Sequence, residues 1–443
     1  MKTVKFQDKV ALLLFVLIFS PILFLLVKSF NQDTETLQYL FKNLLFDYSI
    51  NTIYLVLITS FFSLIIGIIP AWYVSNYQFA GRRIIDLILY LPLAIPTYIM
   101  AFTYSELLSF TGPFKITYDF LQIEILGILL AFSLYPYIYS VSRISFSLFG
   151  SRYYDMAKNL GLNAYQTILK VVLPLSRPAI LSGLFLVVME VLNEYGAVKY
   201  FGVNTYTIGI FRSWNSMNDS GAAIQLSSIL LFMVAFLFFV EKYFNKNKRF
   251  SFSKNTQLAS LNSPNNSMKF LIYVICLIPI ILAFLIPVLF NLINIFSSYE
   301  DINFERLLNL TFNSFTVSLI ASVLILIVST FFLYNEKMSN SKVYYYINQF
   351  ISLGYSIPGA VVALAVVISI TSLDNLDDNI KLLGSFSVYF LILIYAYIIR
   401  FMAVGKSPIK SSLEKYPDSY NHSAKNLGLS NFKIFQKIYF PIN

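Results

Sequence analysis

The sequence has few of the residues from which catalytic and metal sites are usually built. It contains one cysteine, Cys276, and one histidine, His422, which excludes an internal disulfide, a thiolate metal cage and a histidine-rich metal site. Only 12% of its 443 residues are charged, about half the share that is usual in a soluble globular protein. It also lacks the G-x-x-x-x-G-K-[ST] phosphate loop, so the chain is not itself a P-loop ATPase.

Apolar residues are abundant instead. Hydrophobic residues make up 57% of the chain, with 43 Phe and 32 Tyr, which excludes a disordered chain and exceeds what one soluble core could bury. A helix needs about 20 apolar residues to cross a bilayer. Ten stretches meet this requirement: 10–27, 50–73, 87–105, 125–142, 178–197, 221–240, 270–292, 311–335, 343–373 and 382–399. The run 343–373 is longer than one straight span needs, so we expect part of it to be tilted or interfacial.

The basic residues indicate how the chain is oriented. If the N-terminus is cytoplasmic and each span crosses once, the inside loops hold about 25 of the 32 Lys and Arg residues. The net charge of +10 is therefore explained by membrane orientation rather than by nucleic-acid binding. We predict a multi-pass membrane protein, in contact with lipid, with its N-terminus in the cytoplasm.

The chain repeats itself. The sequence AKNLGL at 157–162 returns at 424–429, and the matches continue with Tyr165 and Phe432 and with Pro174 and Pro441. Upstream, the pair at 95–96 returns as Ile357-Pro358. Two related membrane halves follow from this pattern.

The repeat defines the predicted domains. The first half is 1–241 with six spans, 242–269 is a polar cytoplasmic linker, and the second half is 270–443 with four spans. Two spans follow Pro174 in the first half, whereas only two residues follow Pro441. We therefore expect the sequence to be a fragment that stops before its last two spans, the alternative being two unequal halves.

Both copies of the matched loop, near 153–175 and 420–442, predict the same local structure. A helix over 153–160 is ended by Gly161 in a left-handed conformation. Asn163, and Ser430 in the second copy, then cap a short helix that Pro174 and Pro441 are expected to end. The alternative is a surface loop that merely joins spans, which would have no reason to occur twice in such detail.

Several short motifs resemble a known family. The pattern Asp155-x-Ala157-x-x-x-Gly161 with Leu173-Pro174 downstream resembles the EAA loop of permeases in binding-protein-dependent ABC importers. The stretches that resemble the fused, two-half ferric-iron permeases of that superfamily are Gly81-Arg82-Arg83, Leu91 to Pro96, Tyr135-Pro136-Tyr137, Arg177-Pro178-Ala179, Met189 to Val198, Tyr200 to Val203, Thr205 and Arg212-Ser213-Trp214. The resemblance covers most of 50–241 and, more weakly, 311–443. In place of the Glu-Ala-Ala that the family favours, the copies read Asp155-Met156-Ala157 and His422-Ser423-Ala424.

The resemblance implies an all-α polytopic protein of the bacterial plasma (inner) membrane, with two repeated helical bundles of the ABC importer permease type. It implies a permease subunit and not an enzyme, taking up ferric iron from an extracytoplasmic solute-binding protein by alternating access. The loops would dock on an ATP-binding cassette ATPase, expected to be a homodimer, which would hold the ATP and Mg; this chain would carry no cofactor. The residues that match the docking loops are Asp155, Ala157, Gly161, Tyr165, Pro174, Ala424, Gly428, Phe432 and Pro441.

A translocation pathway is indicated by polar groups and prolines in the spans. Glu190 and Glu194, four apart on a predicted helix, would share one face at the outer mouth, or be ordinary interfacial carboxylates. Tyr195 offers an oxygen to ferric iron, or belongs to the aromatic belt. Pro96 and Pro358 either break helices beside the pathway or are packing kinks. No metal-ligand set follows from the sequence.

Other functions remain as alternatives. Docking loops do not encode the solute, so thiamine, polyamines or another small solute are open. An ion-driven secondary transporter also uses repeated halves, but it would not need a repeated docking loop and usually needs more ionisable groups deep in the membrane. A membrane enzyme lacks a supporting cluster of His, Asp or Ser.

Overall fold

The computed structural model describes residues 6–30, 35–110, 112, 114–115, 120–245, 261–339, 342–351, 354–374, 386–414, 419–429 and 431–439. Within these ranges the secondary structure is helical, apart from one isolated bridge between Tyr77 and Asn262. The all-α fold expected from the sequence is confirmed.

The helices are numbered in chain order. The first eleven are α1 (Phe6–Ser29), α2 (Glu35–Asn43), α3 (Leu45–Asn76), α4 (Arg82–Ile88), α5 (Thr97–Leu108), α6 (Ile123–Asn159), α7 (Ala164–Thr167), α8 (Leu173–Asn193), α9 (Gly196–Tyr200), α10 (Tyr206–Phe211) and α11 (Ser220–Asn245). The others are α12 (Asn266–Ile280), α13 (Ile286–Ser297), α14 (Phe304–Ser339), α15 (Lys342–Ile351), α16 (Gly359–Asp374), α17 (Phe386–Glu414), α18 (Ser419–Asn426) and α19 (Asn431–Ile434). Single π-helical turns cover Ile168–Val172, Arg212–Ser216, Ile281–Leu285 and Phe435–Tyr439, and 3₁₀ turns cover Leu91–Ala94, Tyr299–Asp301 and Gly354–Ser356.

Eight of the ten predicted spans overlap an unbroken helical segment that is long and apolar enough to cross a membrane, although some bounds differ by up to 14 residues, as where the prediction 382–399 meets Val388–Leu413. They are Lys9–Ser29, Leu45–Asn76, Ile123–Leu148, Ile168–Asn193, Ser220–Tyr243, Asn266–Ser297, Phe304–Met338 and Val388–Leu413. A helix satisfies its own backbone hydrogen bonds, which is what a segment surrounded by hydrocarbon requires. Many of their large side chains are exposed, for example Phe236 (67%) and Phe239 (68%), as expected of surfaces that lipid covers.

The other two predicted spans are sharply bent helix pairs. Arg82–Ala94 and Thr97–Leu108 meet at 90°, and Val343–Ser356 and Gly359–Leu373 meet at 110°, with 352–353 outside the described residues. Each bend follows a 3₁₀ turn and occurs at the repeated Ile-Pro pair. Proline donates no backbone hydrogen bond and pushes the preceding residue out of the helical region, and Ile95 is accordingly extended (φ −95°, ψ 116°). Of the two interpretations of Pro96 and Pro358, the structure shows helix breaks.

The described chain forms two compact units. The larger comprises 34–226 and 232–301. In it, α3 packs along α6, and α8 packs on both. A Cβ on Gly183 of α8 would lie 3.0 Å from the Ile138 Cα of α6, so this close crossing requires a residue without a side chain. At α5, the Asn291 amide of α13 donates to the Thr103 hydroxyl (2.8 Å), and the Tyr104 hydroxyl donates to the Leu282 carbonyl (2.5 Å).

The smaller unit comprises 1–33, 227–231 and 302–443. Here α14 packs along α17, and α1 packs mainly on α16. The Phe15 ring lies 5.9 Å from Phe350, and the Lys28 ammonium donates to the Ser372 hydroxyl (3.4 Å). The first helix of the chain therefore belongs to a unit otherwise built mostly from the second half.

The compact units differ from the halves of the sequence repeat. The segment α12–α13, which opens the second half, lies in the larger unit with first-half helices. The repeat describes how the sequence is organised, and the units describe which helices pack together. The domain boundaries taken from the repeat stay a prediction about the sequence.

Candidate functional site

The first repeated loop, residues 153–175, has the predicted helix–turn–helix geometry. The helix α6 ends at Asn159, and Gly161 has a φ of 80°. The Leu162 amide donates back to the Ala157 carbonyl (3.0 Å), which closes the helix end in the manner of a Schellman motif. The predicted cap is present too: the Gln166 amide donates to Asn163 Oδ1 (2.8 Å), and the Asn163 amide donates to Gln166 Oε1 (3.2 Å).

The second repeated loop, residues 420–442, reproduces this geometry in the other unit. Gly428 has a φ of 74°, and the Leu429 amide donates to the Ala424 carbonyl (3.1 Å). The helix α19 and the π turn Phe435–Tyr439 correspond to α7 and Ile168–Val172 at the same offset of 267 residues. Ser430 lies outside the described residues. The six-residue identity therefore encodes one backbone structure that occurs twice.

The predicted end of the short helix at Pro174 is wrong. The π turn Ile168–Val172 leads directly into α8, and Pro174 lies in the first turn of that helix. A π turn shifts the hydrogen bonds, so that the Leu173 amide reaches Ile168, and the absent N–H of proline is tolerated near a helix start. The loop helix and the following span are thus one continuous path from 164 to 193. Pro441, the matching residue, lies outside the described residues.

Each loop carries one strongly exposed leucine at the same position. Leu160 is 82% exposed and Leu427 is 80% exposed, directly before the left-handed glycine. The alanines of the motif are buried instead: Ala157 is 3% exposed and Ala424 is 2% exposed. The sequence analysis missed the leucines, although their repetition beside the glycine was a signal that could have identified them.

For some of the predicted docking residues only the backbone is described. Asp155 lies in the last turns of α6, Tyr165 in α7 and Phe432 in α19, and their side chains are outside the described part. His422 likewise lies in α18. Their contacts with a partner stay predictions.

A partly buried ion pair joins α4 to the helix that carries the first loop. Arg143 of α6 donates through Nε to Asp86 Oδ1 (2.8 Å) and through Nη2 to Oδ2, and the Tyr139 hydroxyl donates to Asp86 Oδ1 (2.7 Å). The two charged side chains are 28% and 17% exposed. The sequence analysis missed this pair, although both charges border apolar runs on the same predicted side of the membrane. It ties the first helix of the bent pair to a point about 15 Å before residue 153, where the loop begins, at 1.5 Å per helical residue.

Glu194 lies at the end of α8, one helical turn after Glu190. The helix α8 ends at Asn193, and Glu194 follows it with φ −68° and ψ 125° and accepts from the Thr97 hydroxyl (2.6 Å) and the Ala197 amide (2.8 Å). The carboxylate therefore bonds the first turn of α9 and holds the start of α5, just after Pro96. The shared face of the two carboxylates at an outer mouth stays a prediction. Thr97 was not singled out in the sequence.

The other predicted pathway residues lie around the same segment or in the other unit. Glu190 is a half-buried residue of α8. The Tyr195 ring lies 4.2 Å from the Phe211 ring and 5.5 Å from the Lys199 ammonium. Pro358 lies before α16 in the smaller unit. Within the described ranges, no three His, Cys, Asp or Glu side chains gather as a metal site would require.

The sequence is similar to those of known transport proteins. Residues 63–250, which include the first loop, match the family described as binding-protein-dependent transport system inner membrane component. The chain is 23% identical over 429 residues to the Fe(3+)-transport system permease protein FbpB 2 of Haemophilus influenzae, covering 95% of this chain and 81% of that protein. It is 31% identical over 156 residues to the sulfate transport system permease protein CysT of Escherichia coli, covering 33% of this chain and 55% of that protein. A probable sulfate permease of Marchantia polymorpha is 26% identical over 235 residues, which cover 50% of this chain and 82% of that protein.

Proposed function

Because residues 63–250 form a permease domain of the binding-protein-dependent transport family, we propose that this chain is the transmembrane subunit of an ATP-driven importer for ferric iron. It is a multi-pass inner-membrane protein and a transport subunit rather than an enzyme. The solute would come from an external binding protein, and ATP and Mg would be held by a separate ATPase.

The observation that carries the coupling role is the pair of matching loops. Each presents the same helix, left-handed glycine and short helix, with an apolar side chain more than three-quarters exposed. An exposed leucine at the end of a capped helix suits a groove on another protein. Two such elements of equal geometry, one in each unit, favour a partner with two-fold symmetry.

The connection from loop to membrane supports a mechanical role. The path from 164 to 193 is helical without interruption, and α6 enters the same loop from the other side. A push on the loop would therefore move α6 and α8 together. The ion pair from Arg143 to Asp86 would pass that movement to the bent pair. Alternating access would use this connection between loop and membrane helices. The loops and the N-terminus would lie in the cytoplasm, as the distribution of basic residues predicts.

Iron is favoured over sulfate by the extent of the match. The iron permease aligns with 95% of this chain, whereas the sulfate permease of Escherichia coli aligns with one third. Sulfate is the second candidate because the identity is higher within that third. Thiamine and polyamines remain further alternatives that the docking loops do not separate.

The test is transport by the reconstituted importer. The chain would be purified together with its ATPase and binding protein and placed in liposomes containing ATP. Uptake of radioactive iron, with sulfate in parallel, should depend on ATP and on the binding protein. ATP-dependent sulfate uptake without iron uptake would reverse the choice of solute. Uptake of either solute without the ATPase would contradict the importer assignment.

A further inference from the structure

A pocket lies in the segment that runs from Tyr195, just before α9, to the π turn Arg212–Ser216, and of its lining residues only Tyr195 was predicted to belong to the translocation pathway. Its volume is about 230 Å³, and its polar and aromatic walls include Tyr195, Lys199, Phe211, Arg212, Asn215 and Ser216. All of these residues lie in one segment of 22 residues, from Tyr195 to Ser216. The helix α9, α10 and the π turn Arg212–Ser216 give that segment its shape.

Two basic side chains, Lys199 and Arg212, line this pocket. Lys199 lies over the Tyr195 ring at 5.5 Å, and Arg212 donates to Asn204 Oδ1 (3.1 Å), so both contacts are with uncharged groups. Among the described residues that line the cavity there is no Asp or Glu. Two acids lie next to this segment and bond to backbone amides: Glu194 accepts from the Ala197 amide, and Asp219 accepts from the Ala222 amide.

The position of these cations is unusual for this chain. In the proposed orientation the pocket is on the outer face, where only about 7 of the 32 Lys and Arg residues lie. Two of them converge on one cavity. A basic residue that only marks orientation would be on the other side, so this pair calls for a local role.

The chemistry of the walls selects the ligand. A guanidinium and an ammonium bind oxygen anions through charge-assisted hydrogen bonds. Asn215 and Ser216 add neutral donors of the kind that complete an oxyanion site. We propose that this pocket binds an oxyanion, either a carboxylate of the docked binding protein or a free anion such as sulfate. The proposal rests on the proposed orientation and transport role, and it adds to them a contact that iron itself, as a cation, could not make.

Trp214 gives a direct readout. It lies between Arg212 and Asn215, and the chain has one other tryptophan, Trp72. The full chain carrying Trp72→Phe would be placed in lipid nanodiscs and titrated with sodium sulfate, sodium acetate or a short glutamate-containing peptide, at constant ionic strength set with sodium chloride. No ATP, ATPase or uptake is involved, so the result is independent of the transport test.

We expect a saturable change in Trp214 emission with at least one of these anions. Lys199→Gln and Arg212→Gln should each weaken binding about tenfold or more, because each removes one charge-assisted bond. Lys115→Gln, an exposed lysine in another loop, makes the same charge change and should bind like the parent. If the glutamate peptide binds more tightly than sulfate, and more tightly than the same peptide with glutamine in place of glutamate, the ligand is a protein carboxylate. Tighter binding of sulfate would identify a free anion.

Two results would overturn the proposal. One is the absence of a saturable change with sulfate, acetate and the peptide alike. The other is equal binding by Lys199→Gln, Arg212→Gln and Lys115→Gln. Circular dichroism of each variant would show that the helices are retained, so a loss of binding could not be attributed to unfolding.

Discussion

Replacement of Gly161 by alanine tests whether the left-handed turn transmits force. A Cβ built on Gly161, or on Gly428, meets no described atom within 4 Å, so alanine causes no clash. The whole penalty is in the backbone, because φ values of 80° and 74° cost an L-residue about 1–2 kcal/mol. That energy shifts the balance between the ordered turn and other turn geometries by about 5- to 30-fold.

The assay is the ratio of solute imported to ATP hydrolysed, in the reconstituted importer. We expect Gly161→Ala and Gly428→Ala each to lower this ratio by about tenfold, and Gly161→Asn to lower it less, since asparagine tolerates the left-handed region. The matched control is Gly81→Ala. Gly81 also has a positive φ (72°) and open space around its Cβ, but it lies in the turn before α4, outside both loops.

The comparison with Gly81 decides the outcome. If Gly161→Ala imports as much solute per ATP as Gly81→Ala does, the turn has no part in coupling. A fall of the same size in all three alanine variants would show a general loss of stability and would equally refute the reasoning. Thermal unfolding of each variant measures the loss of stability separately. We expect the three substitutions to lower the unfolding midpoint alike, so a lower import ratio in the two loop variants alone would be an effect on coupling.

Three further perturbations follow from the contacts. Asp86→Asn should lower the free energy of unfolding by about 3 kcal/mol, because it leaves Arg143 partly buried without its counter-ion; a double-mutant cycle with Arg143→Gln that shows no coupling energy would contradict this. Leu160→Glu and Leu427→Glu should weaken co-purification of the ATPase without changing the unfolding midpoint, and full recovery of the complex would exclude these leucines from the interface. Glu194→Gln should keep iron uptake, because the glutamine side chain can still accept from the Ala197 amide and donate to the Thr97 hydroxyl, whereas Glu194→Ala should lose iron uptake. If both variants lose iron uptake, the carboxylate charge itself serves the solute.

Features that depend on neighbouring residues were predictable from the sequence. The turn at Gly161 and its cap at Asn163 were predicted because their hydrogen bonds join residues no more than five positions apart. Pro174 was misjudged because its effect depends on a π turn just before it, and that rearrangement of hydrogen bonds has no clear sequence signal.

Contacts between distant residues were not predictable in the same way. Asp86 and Arg143 are 57 residues apart, and their ion pair depends on how α4 packs against α6. The Glu194 carboxylate accepts from Thr97, which is 97 positions away, and no local pattern pairs these two residues. A single sequence shows which charges border the spans, and it does not show which of them meet.

The sequence by itself determined where the chain can cross a membrane, which side its basic loops favour, and that one loop structure occurs twice. Each of these follows from hydropathy, charge or capping over a short stretch of chain. The tertiary structure decided that α1 packs with helices of the second half, that α12 and α13 pack with those of the first, and that the repeated Ile-Pro pairs bend their spans by 90° and 110°. The physical reason is that lipid is as apolar as the helices themselves, so hydropathy places a helix in the membrane but leaves its choice of neighbour to shape and a few polar contacts.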